Sequence, residues 1–333
     1  MYKEIAPIIF IWIGNKFPKW GLLSLEICCK NNKSRKVILL HDKNLGKKIY
    51  LKKKKLDNLD FRLISIKDDS IFNQSNKRFK DSFWLNTSLR LKVLYCYASK
   101  NNISSFFHAE LDNILFNLDN LDEKLHNYGS GIFVPRDAID RAIGSILFCN
   151  RINSLFEILS LYKEPFNARN DMSAFGLYAQ KSKNFFSLPT ESFKENLSFF
   201  NIINPNYTKG IFDAASIGQY CFGIDPKISK YYPTKNLFIN ENSKIDFNNF
   251  EIFVNDYQVW IKTNKYSKKF KVYNIHIHCK DIKLAINLLK KKSIFKSIQN
   301  KKQVIITGRY KLIFGKFILF FDNLKFLIKK IIY

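Results

Sequence analysis

The sequence predicts an α/β fold with a mostly parallel sheet flanked by helices. Short apolar, β-rich runs occupy residues 8–13, 37–40 and 61–66, and polar or helix-compatible segments separate them. Continuous apolar runs of this kind are typical of strands that are buried on both faces. The chain has 333 residues, of which 46% are hydrophobic, and this is enough apolar material for one large domain or a domain with an appendage.

The first half of the chain alternates between the two element types. Residues 20–30 place Leu23 and Ile27 on one helical face, and residues 86–100 repeat apolar side chains at helical spacing. A strand over residues 103–108 follows the second helix. Ligands of parallel α/β sheets bind beyond the carboxyl ends of the strands, so we expect a site directly after residue 108.

The second half is expected to continue with both element types and shows no internal repeat. Strands are expected at residues 131–135, 251–254, 258–263 and 270–278. Helices are expected at residues 138–162, with a break near 150–153, at residues 172–181 after a capping loop at 167–171, and at residues 212–222.

Net charge indicates which kinds of molecule the protein could bind, and cysteine content indicates the cellular compartment in which it folds. The formal net charge of +27 favours anionic partners such as nucleotides, phosphorylated lipids, bilayer surfaces or nucleic acid. Abundant Lys, Asn, Ile and Phe, as AT-rich coding produces, account for part of this excess. The six cysteines show no C-x-x-C spacing and are typical of core residues in a reducing compartment. With no secretory signal evident, we expect a cytoplasmic protein.

The C-terminal tail, residues 305–333, differs from the domain expected over residues 1–304. It is densely apolar, but lysines interrupt it too often for a spanning helix of about 20 residues. Its pattern fits a basic amphipathic helix that lies on the inner face of the cytoplasmic membrane. The alternative is a helix packed on the domain or on a second subunit.

Two groups of residues, called here the two constellations, have side chains suited to binding a metal ion and a phosphate. Glu110 and Asp112 follow the apolar strand, where ionised side chains need a cation or hydrogen-bond donors. Such a pair can hold Mg²⁺ or Mn²⁺ against a diphosphate, although it can also be a solvated acidic turn. In a strand, His276 and His278 lie on one face with Lys280 following, and imidazole suits Mn²⁺ while an ammonium suits phosphate.

Five blocks of sequence, in this order, resemble one known family. They are FIWIG at residues 10–14, FW at 83–84 with Thr87 and Arg90, FHAELDN at 107–113, FDAASIGQY at 212–220 and HIHCK at 276–280. Together they are similar to bacterial GT-A-type glycosyltransferases of surface-polysaccharide (capsule, O-antigen or lipopolysaccharide) clusters. The resemblance implies a Rossmann-like GT-A fold, a nucleotide-sugar donor, a divalent metal and sugar transfer to a growing glycan.

The resemblance also implies roles for residues of the two constellations. The chain has Glu110 where the family's D-x-D motif begins with aspartate, so Asp112 is the stronger metal ligand and Glu110 is assigned to ribose or to metal-bound water. One histidine of the later pair completes the metal site, with His278 favoured over His276. Lys280 is assigned to the pyrophosphate.

Three further residues are assigned to the donor. Arg90 would face the donor sugar or phosphate, unless it is a surface cation. Trp12 and Gly14 close the first strand, where an aromatic ring would stack in the nucleotide pocket.

Two further acids are candidates for proton transfer or for contacts with sugar hydroxyls. Asp171 and Asp213 each precede an expected helix, where an ordinary capping role is the alternative. If transfer inverts the anomeric centre, a carboxylate base must reach the acceptor hydroxyl, and one of these two is the candidate. If transfer retains the configuration, neither need be a base.

The sequence therefore predicts a metal-dependent glycosyltransferase that acts on a glycan or lipid-linked acceptor. Two other classes of protein are alternatives. A basic nucleic-acid-binding protein is disfavoured because its lysines are dispersed and no binding signature is present. A non-catalytic, membrane-associated protein on a transferase fold is the remaining alternative, because of Glu110.

Overall fold

The computed structural model describes residues 5–65, 83–191, 202–222 and 250–296, apart from residues 15, 44, 46–48, 51–54, 164, 167, 215, 256–257, 264–265 and 290–292. The amphipathic tail and its boundary at residue 304 lie outside the described residues. No helix within these ranges is both long enough and apolar enough to cross a bilayer.

The described part of the chain contains the following strands and helices. The strands are β1 (Ile8–Trp12), β2 (Val37–His41), β3 (Leu59–Leu63), β4 (Phe106–Ala109), β5 (Asn113–Leu115), β6 (Ile132–Ala138), β7 (Arg141–Ala142), β8 (Ile146–Cys149), β9 (Phe185–Leu188), β10 (Gly210–Ile211), β11 (Phe250–Asn255), β12 (Gln258–Thr263), β13 (Tyr266–Val272), β14 (Asn274–His276) and β15 (Ser293–Lys296). The helices are α1 (Lys19–Asn31), α2 (Phe83–Lys100), α3 (Leu121–Tyr128), α4 (Asn153–Ser160), α5 (Asp171–Lys181), α6 (Pro205–Thr208), α7 (Ser216–Phe222) and α8 (Ile282–Leu289).

The central sheet has the strand order β3-β2-β1-β4-β8-β6-β7, with β9 beside β6. Strands β3, β2, β1 and β4 pair in parallel, as does β6 with β9, whereas β8 runs antiparallel to both of its neighbours. The fold class is therefore α/β with a mostly parallel sheet, as the sequence predicts. A five-stranded sheet, β10-β13-β12-β11-β15, and the β5–β14 pair complete the described strands.

Alternation along β1 divides the core between the two faces of the sheet. Ile9 and Ile11 pack in one cluster with residues of α2, α4 and α5, whereas Ile8 and Phe10 pack in another with residues of α1 and α3. Burying each such side chain contributes about 1.5–3 kcal/mol. The helices expected on both faces are thus held by the two sides of one strand.

The helix expected over residues 138–162 is wrong for most of its length. Ala138 ends β6, residues 141–142 form β7 and residues 146–149 form β8, so that only Asn153–Ser160 is helical. Strand β8 inserts between β4 and β6 with all four side chains buried. A short apolar run buried on both faces cannot be distinguished from a buried helix by periodicity alone, and this explains the error.

The strand expected over residues 270–278 is interrupted at Tyr273. Its first part, in β13, belongs to the five-stranded sheet, and its second part, β14, pairs instead with β5. The chain changes sheets at this point, and the change places residues 274–276 beside the end of the central sheet.

Candidate functional site

The carboxylate pair lies directly beyond the carboxyl end of β4. The turn that carries it is closed by two backbone hydrogen bonds, from Glu110 N to Ser145 O (2.8 Å) and from Asn113 N to Glu110 O (3.0 Å). Strand β4 runs parallel to β1, so the pair shares this edge of the sheet with Trp12. The sequence predicts this position correctly.

Strand pairing brings the later constellation to the same edge. In the antiparallel β5–β14 pair, His276 lies opposite Asn113. The next residue, Ile277, donates its backbone N–H to Asp112 O at 2.8 Å. His276 and Asp112 are therefore neighbours although 164 residues separate them.

Three side chains of suitable chemistry converge here. Glu110, Asp112 and His276 each offer one ligand atom, and these atoms lie within 4.8 Å of one another. His276 Nε2 is 3.3 Å from Asp112 Oδ2 and 3.5 Å from Glu110 Oε2. Two carboxylates and an imidazole form a donor set that suits Mn²⁺ or Mg²⁺, so these residues fit a divalent cation.

His278 lies outside this group of ligand atoms. Strand β14 ends at His276, and His278 is in the following turn, with the two ring centroids 4.2 Å apart. Its Nε2 lies 3.3 Å from Gln219 Nε2. The geometry favours His276 over the preferred His278 as the third metal ligand, and the ligand assignment itself stays a prediction.

Two cationic side chains flank the carboxylates. Lys280 Nζ contacts Asp112 Oδ2. Arg90, whose side chain is 13% exposed, lies with Nη2 2.5 Å from Glu110 Oε1 and 3.4 Å from Asp171 Oδ2. Arg90 thus connects the carboxylate pair to the first turn of α5, and it is not a surface cation.

These neighbours determine the charge states at the site. Burial opposes ionisation of Glu110, but Arg90, His276 and Lys280 outweigh it and lower its pKa to about 2. Burial lowers the pKa of His276, although Glu110 and Asp213 partly oppose that effect. Near neutral pH the site therefore presents an ionised Glu110 and a neutral imidazole, which is the form that binds metals.

Asp171 is the first residue of α5 rather than its cap. The capping residue is Asn170, which forms a capping box with Ser173. Asp171 is 5% exposed, and no hydrogen-bond partner reaches its Oδ1 within the described ranges. Burial raises the pKa of Asp171 and Arg90 opposes this rise. Asp171 is thus a buried carboxylate beside Arg90, and hydrogen bonding from Thr87 and Met172 also opposes the rise of its pKa.

The carboxylate of Asp213 accepts hydrogen bonds from backbone N–H groups. The residue is completely buried, and its carboxylate accepts the N–H groups of Ile217 (3.0 Å), Gly218 (2.8 Å) and His276 (2.9 Å). Burial raises its pKa to about 6. Asp213 thus holds the start of α7 against β14, as the capping alternative predicts.

Sequence reasoning missed another buried acid near Asp213, Glu191. Its two carboxylate oxygens accept the N–H groups of Ala214 (3.2 Å) and Ser216 (3.1 Å). Burial and the nearby Asp213 raise the pKa of Glu191 to about 8. The residue lies in a segment with no regular pattern, so no signal in the sequence points to it.

A buried amide pair was also missed. Asn274 Nδ2 donates to Asn113 Oδ1 (2.7 Å) and to Asp213 O (3.1 Å), and Asn113 Nδ2 donates to Ser145 O (2.9 Å). These bonds join the carboxylate turn, β14 and the Asp213 turn. Asn113 directly follows Asp112, and Asn274 lies two positions before His276. This closeness in sequence to residues already assigned to the site is the signal that could have identified them.

Gly218 allows α7 to approach β14. A Cβ at this position would lie 1.9 Å from His276 O and 3.0 Å from Asp213 Oδ2. Only glycine permits this approach, because real Cβ atoms do not come so close to a backbone oxygen.

Trp12 is the last residue of β1 at this same edge of the sheet, and Gly14 follows two residues later. The indole Nε1 is buried and has no hydrogen-bond partner among the described residues. Gly14 has φ +145°, a backbone conformation that favours glycine, and its N–H donates to Asp42 Oδ1 at 3.1 Å. Their assignment to the donor stays a prediction.

Comparison with known proteins yields similarity to solved structures alone. No protein-family model matches the chain, and no curated protein matches its sequence. The galactosyltransferase LgtC, solved with donor and acceptor sugar analogues, is 11% identical with a TM-score of 0.42, covering 60% of this chain and 84% of that one. Mouse xyloside xylosyltransferase 1 is 11% identical with a TM-score of 0.39, covering 56% and 86% of the two chains.

A third solved structure is similar at the same level. The glycosyltransferase GlyE of Streptococcus pneumoniae is 11% identical with a TM-score of 0.37, covering 59% of this chain and 49% of that one. At these identities the similarity concerns the fold alone.

Proposed function

We propose that this chain is a metal-dependent glycosyltransferase that moves a sugar from a nucleotide-sugar donor to a glycan or lipid-linked acceptor. The supporting observation is the convergence of Glu110, Asp112 and His276 beyond the carboxyl end of β4. Ligands of α/β sheets bind at this edge, and this donor set suits a hard divalent cation.

The three residues would hold Mn²⁺ or Mg²⁺ through two carboxylates and the Nε2 atom of His276. When bound, the ion neutralises negative charge on the departing nucleoside diphosphate. Backbone contacts support the ligands, because Asp112 O accepts the N–H of Ile277 and Asp213 accepts that of His276. The protein thereby fixes the ligands before the donor arrives.

The remaining donor contacts follow from position. Lys280 lies beside Asp112 and supplies an ammonium to the diphosphate. Trp12, whose Nε1 has no hydrogen-bond partner among the described residues, contacts the nucleoside at the end of β1. Arg90 holds Glu110 and Asp171 in fixed positions through its guanidinium.

Of the two acids considered for proton transfer or hydroxyl binding, we assign the substrate contact to Asp171. One of its oxygens has no partner within the described ranges, whereas the carboxylate of Asp213 accepts three backbone N–H groups. Asp171 serves as the base if transfer inverts the anomeric centre and as a hydroxyl contact if transfer retains it.

The proposal also covers the acceptor and the place in the cell where the enzyme acts. A basic tail at residues 305–333 would bring the enzyme to the cytoplasmic face of the membrane, where lipid-linked and lipopolysaccharide acceptors are assembled. Binding of the full chain to anionic vesicles, compared with a chain lacking the tail, tests this part separately.

Donor turnover tests the central proposal. Nucleotide-sugars with uridine, guanosine and cytidine are screened by thermal shift with Mn²⁺, and hydrolysis of the stabilising donor is then measured. We expect turnover to stop with EDTA and to resume with Mn²⁺. The Asp112→Asn variant should lose at least about 100-fold in rate, because metal stabilisation of the leaving group is worth several kcal/mol.

The matched control is Asp119→Asn, which removes an exposed carboxylate at the other end of β5 and should retain full turnover. Metal-independent turnover by a fully active Asp112→Asn variant would refute the proposal.

A further inference from the structure

We infer that Lys280 takes the place of the metal ion on Asp112 and must leave before a divalent cation binds, so that metal binding and diphosphate binding are coupled through this lysine. The inference rests on the proposed function, because it concerns the same site. It adds a competition between the protein's own ammonium and the metal ion.

The contact that suggests competition involves the Asp112 oxygen that lies beside His276. Lys280 Nζ meets Asp112 Oδ2, the same atom that lies 3.3 Å from His276 Nε2. The Asp112 side chain is 4% exposed, whereas that of Lys280 is 39% exposed. The ammonium therefore reaches from the solvent side onto an oxygen that a metal ion between Asp112 and His276 would need. Two cations at one buried oxygen repel each other strongly.

The balance of charge explains why a cation lies there. Two carboxylates, Glu110 and Asp112, are packed close together beneath the surface. The guanidinium of Arg90 is engaged with Glu110 and Asp171, while the ammonium of Lys280 meets Asp112. A buried carboxylate is costly without a counter-charge, and Lys280 provides one to Asp112. A divalent cation would take over this task.

The backbone of Lys280 is held in a hydrogen-bonded turn, while its side chain has the flexible stem of every lysine. Its backbone has φ +59°, and its N–H donates to Ile277 O at 3.0 Å, which closes the turn after β14. The four-carbon stem is flexible and ends in a compact charge. The Trp20 ring centroid lies 6.0 Å from Nζ, so an aromatic face remains near an ammonium that withdraws.

Lys280 would have a role both in the metal-free site and in the metal-bound site. Once a metal ion neutralises Asp112, the released ammonium faces an anionic diphosphate that the same ion binds. A diphosphate that attracts Lys280 away from Asp112 in turn opens the metal position. Each ligand therefore favours the other, as linkage between two sites requires.

Calorimetric titration of Mn²⁺ into the nucleotide-free full chain tests the inference. We expect Lys280→Met to bind Mn²⁺ about tenfold more tightly than the unmodified chain, because the internal competitor is gone. Lys283→Met is the matched control, since it removes the same charge from an exposed position three residues further on, in α8, and should change the affinity less than twofold.

A second measurement uses the unmodified protein and does not depend on the folding of any variant. Acetylation of lysines is followed by mass spectrometry with and without saturating Mn²⁺. Labelling of Lys280 should rise at least threefold when Mn²⁺ is added, whereas labelling of Lys283 should stay constant.

The possible failures are distinguishable. Equal Mn²⁺ affinity in the unmodified chain and in Lys280→Met, or unchanged labelling of Lys280, overturns the inference and leaves the proposed function standing. Absence of Mn²⁺ binding and of donor turnover in the unmodified chain overturns both.

Discussion

Replacing Asn274 with alanine tests how the carboxylate turn is joined to the strand that carries His276. Asn274 is completely buried, and its side chain makes three hydrogen bonds to described residues. Its Nδ2 donates to Asn113 Oδ1 at 2.7 Å and to Asp213 O at 3.1 Å, and its Oδ1 accepts from Asp213 N at 3.1 Å. Alanine removes all of these bonds and leaves the partner groups buried without their Asn274 contact.

The size of the effect follows from those partners. Each buried polar group left unsatisfied costs about 1–3 kcal/mol. Partial relaxation lowers the sum, so we expect Asn274→Ala to lose roughly 3–6 kcal/mol of unfolding free energy. Because Asn274 is two residues from His276, Mn²⁺ affinity should also fall by about 10–100-fold, the usual cost of removing a group that orients a metal ligand.

Urea unfolding followed by circular dichroism measures the stability, and calorimetry measures the Mn²⁺ affinity. Asn31→Ala is the control, since the Asn31 side chain donates a 2.9 Å bond to Leu115 O at the other end of β5. This variant should lose about 1 kcal/mol and keep its metal affinity. An Asn274→Ala variant that matches the control in both measurements would refute the reasoning.

Two other predictions concern the elements that support the site. Gly218→Ala places a Cβ 1.9 Å from His276 O and should lower the unfolding free energy, measured in urea, by about 1–3 kcal/mol. The control is Gly21→Ala in α1, whose added Cβ meets only side-chain atoms at 3.2–3.3 Å, and it should lose less. Equal losses in the two variants would contradict the close approach of α7 to β14. The pKa of Glu191 is raised to about 8 in the folded protein, whereas an unfolded glutamate titrates near about 4.3, so the folded state binds the extra proton between these values. Its stabilising effect is therefore full below about pH 4 and is lost as pH rises towards 8. Glu191→Gln should flatten the decline of unfolding free energy from about pH 5 to 8 in urea titrations, and parallel curves for the two proteins would count against this.

The sequence was a good guide where a local pattern has one interpretation. The apolar runs at β1, β2 and β3 and the helical spacing in α1 and α2 all formed the expected elements. The pattern misled at β8, because a run of four residues buried on both faces carries no period that separates a strand from a helix.

Within the site, Glu110 and Asp112 were predicted because ionised side chains that follow an apolar strand need a cation or hydrogen-bond donors. The sequence could not show which of His276 and His278 is the third metal ligand. A strand would place both rings on one face, but β14 ends at His276 and the next turn carries His278 towards Gln219. Glu191 gave no signal, because its function depends on backbone N–H groups more than twenty residues away.

The sequence alone determined the α/β class, the strands and helices from β1 to α2, and the position of Glu110 and Asp112 after a buried strand. Tertiary structure alone decided that His276 rather than His278 lies beside these carboxylates, that Arg90 connects Glu110 to Asp171, and that the Asp213 carboxylate accepts three backbone N–H groups. The physical reason is that local patterns record which residues are buried, whereas the contacts of the site arise from the pairing of β5 with β14. That pairing joins segments more than 150 residues apart, and its register is set by the packing of the whole domain.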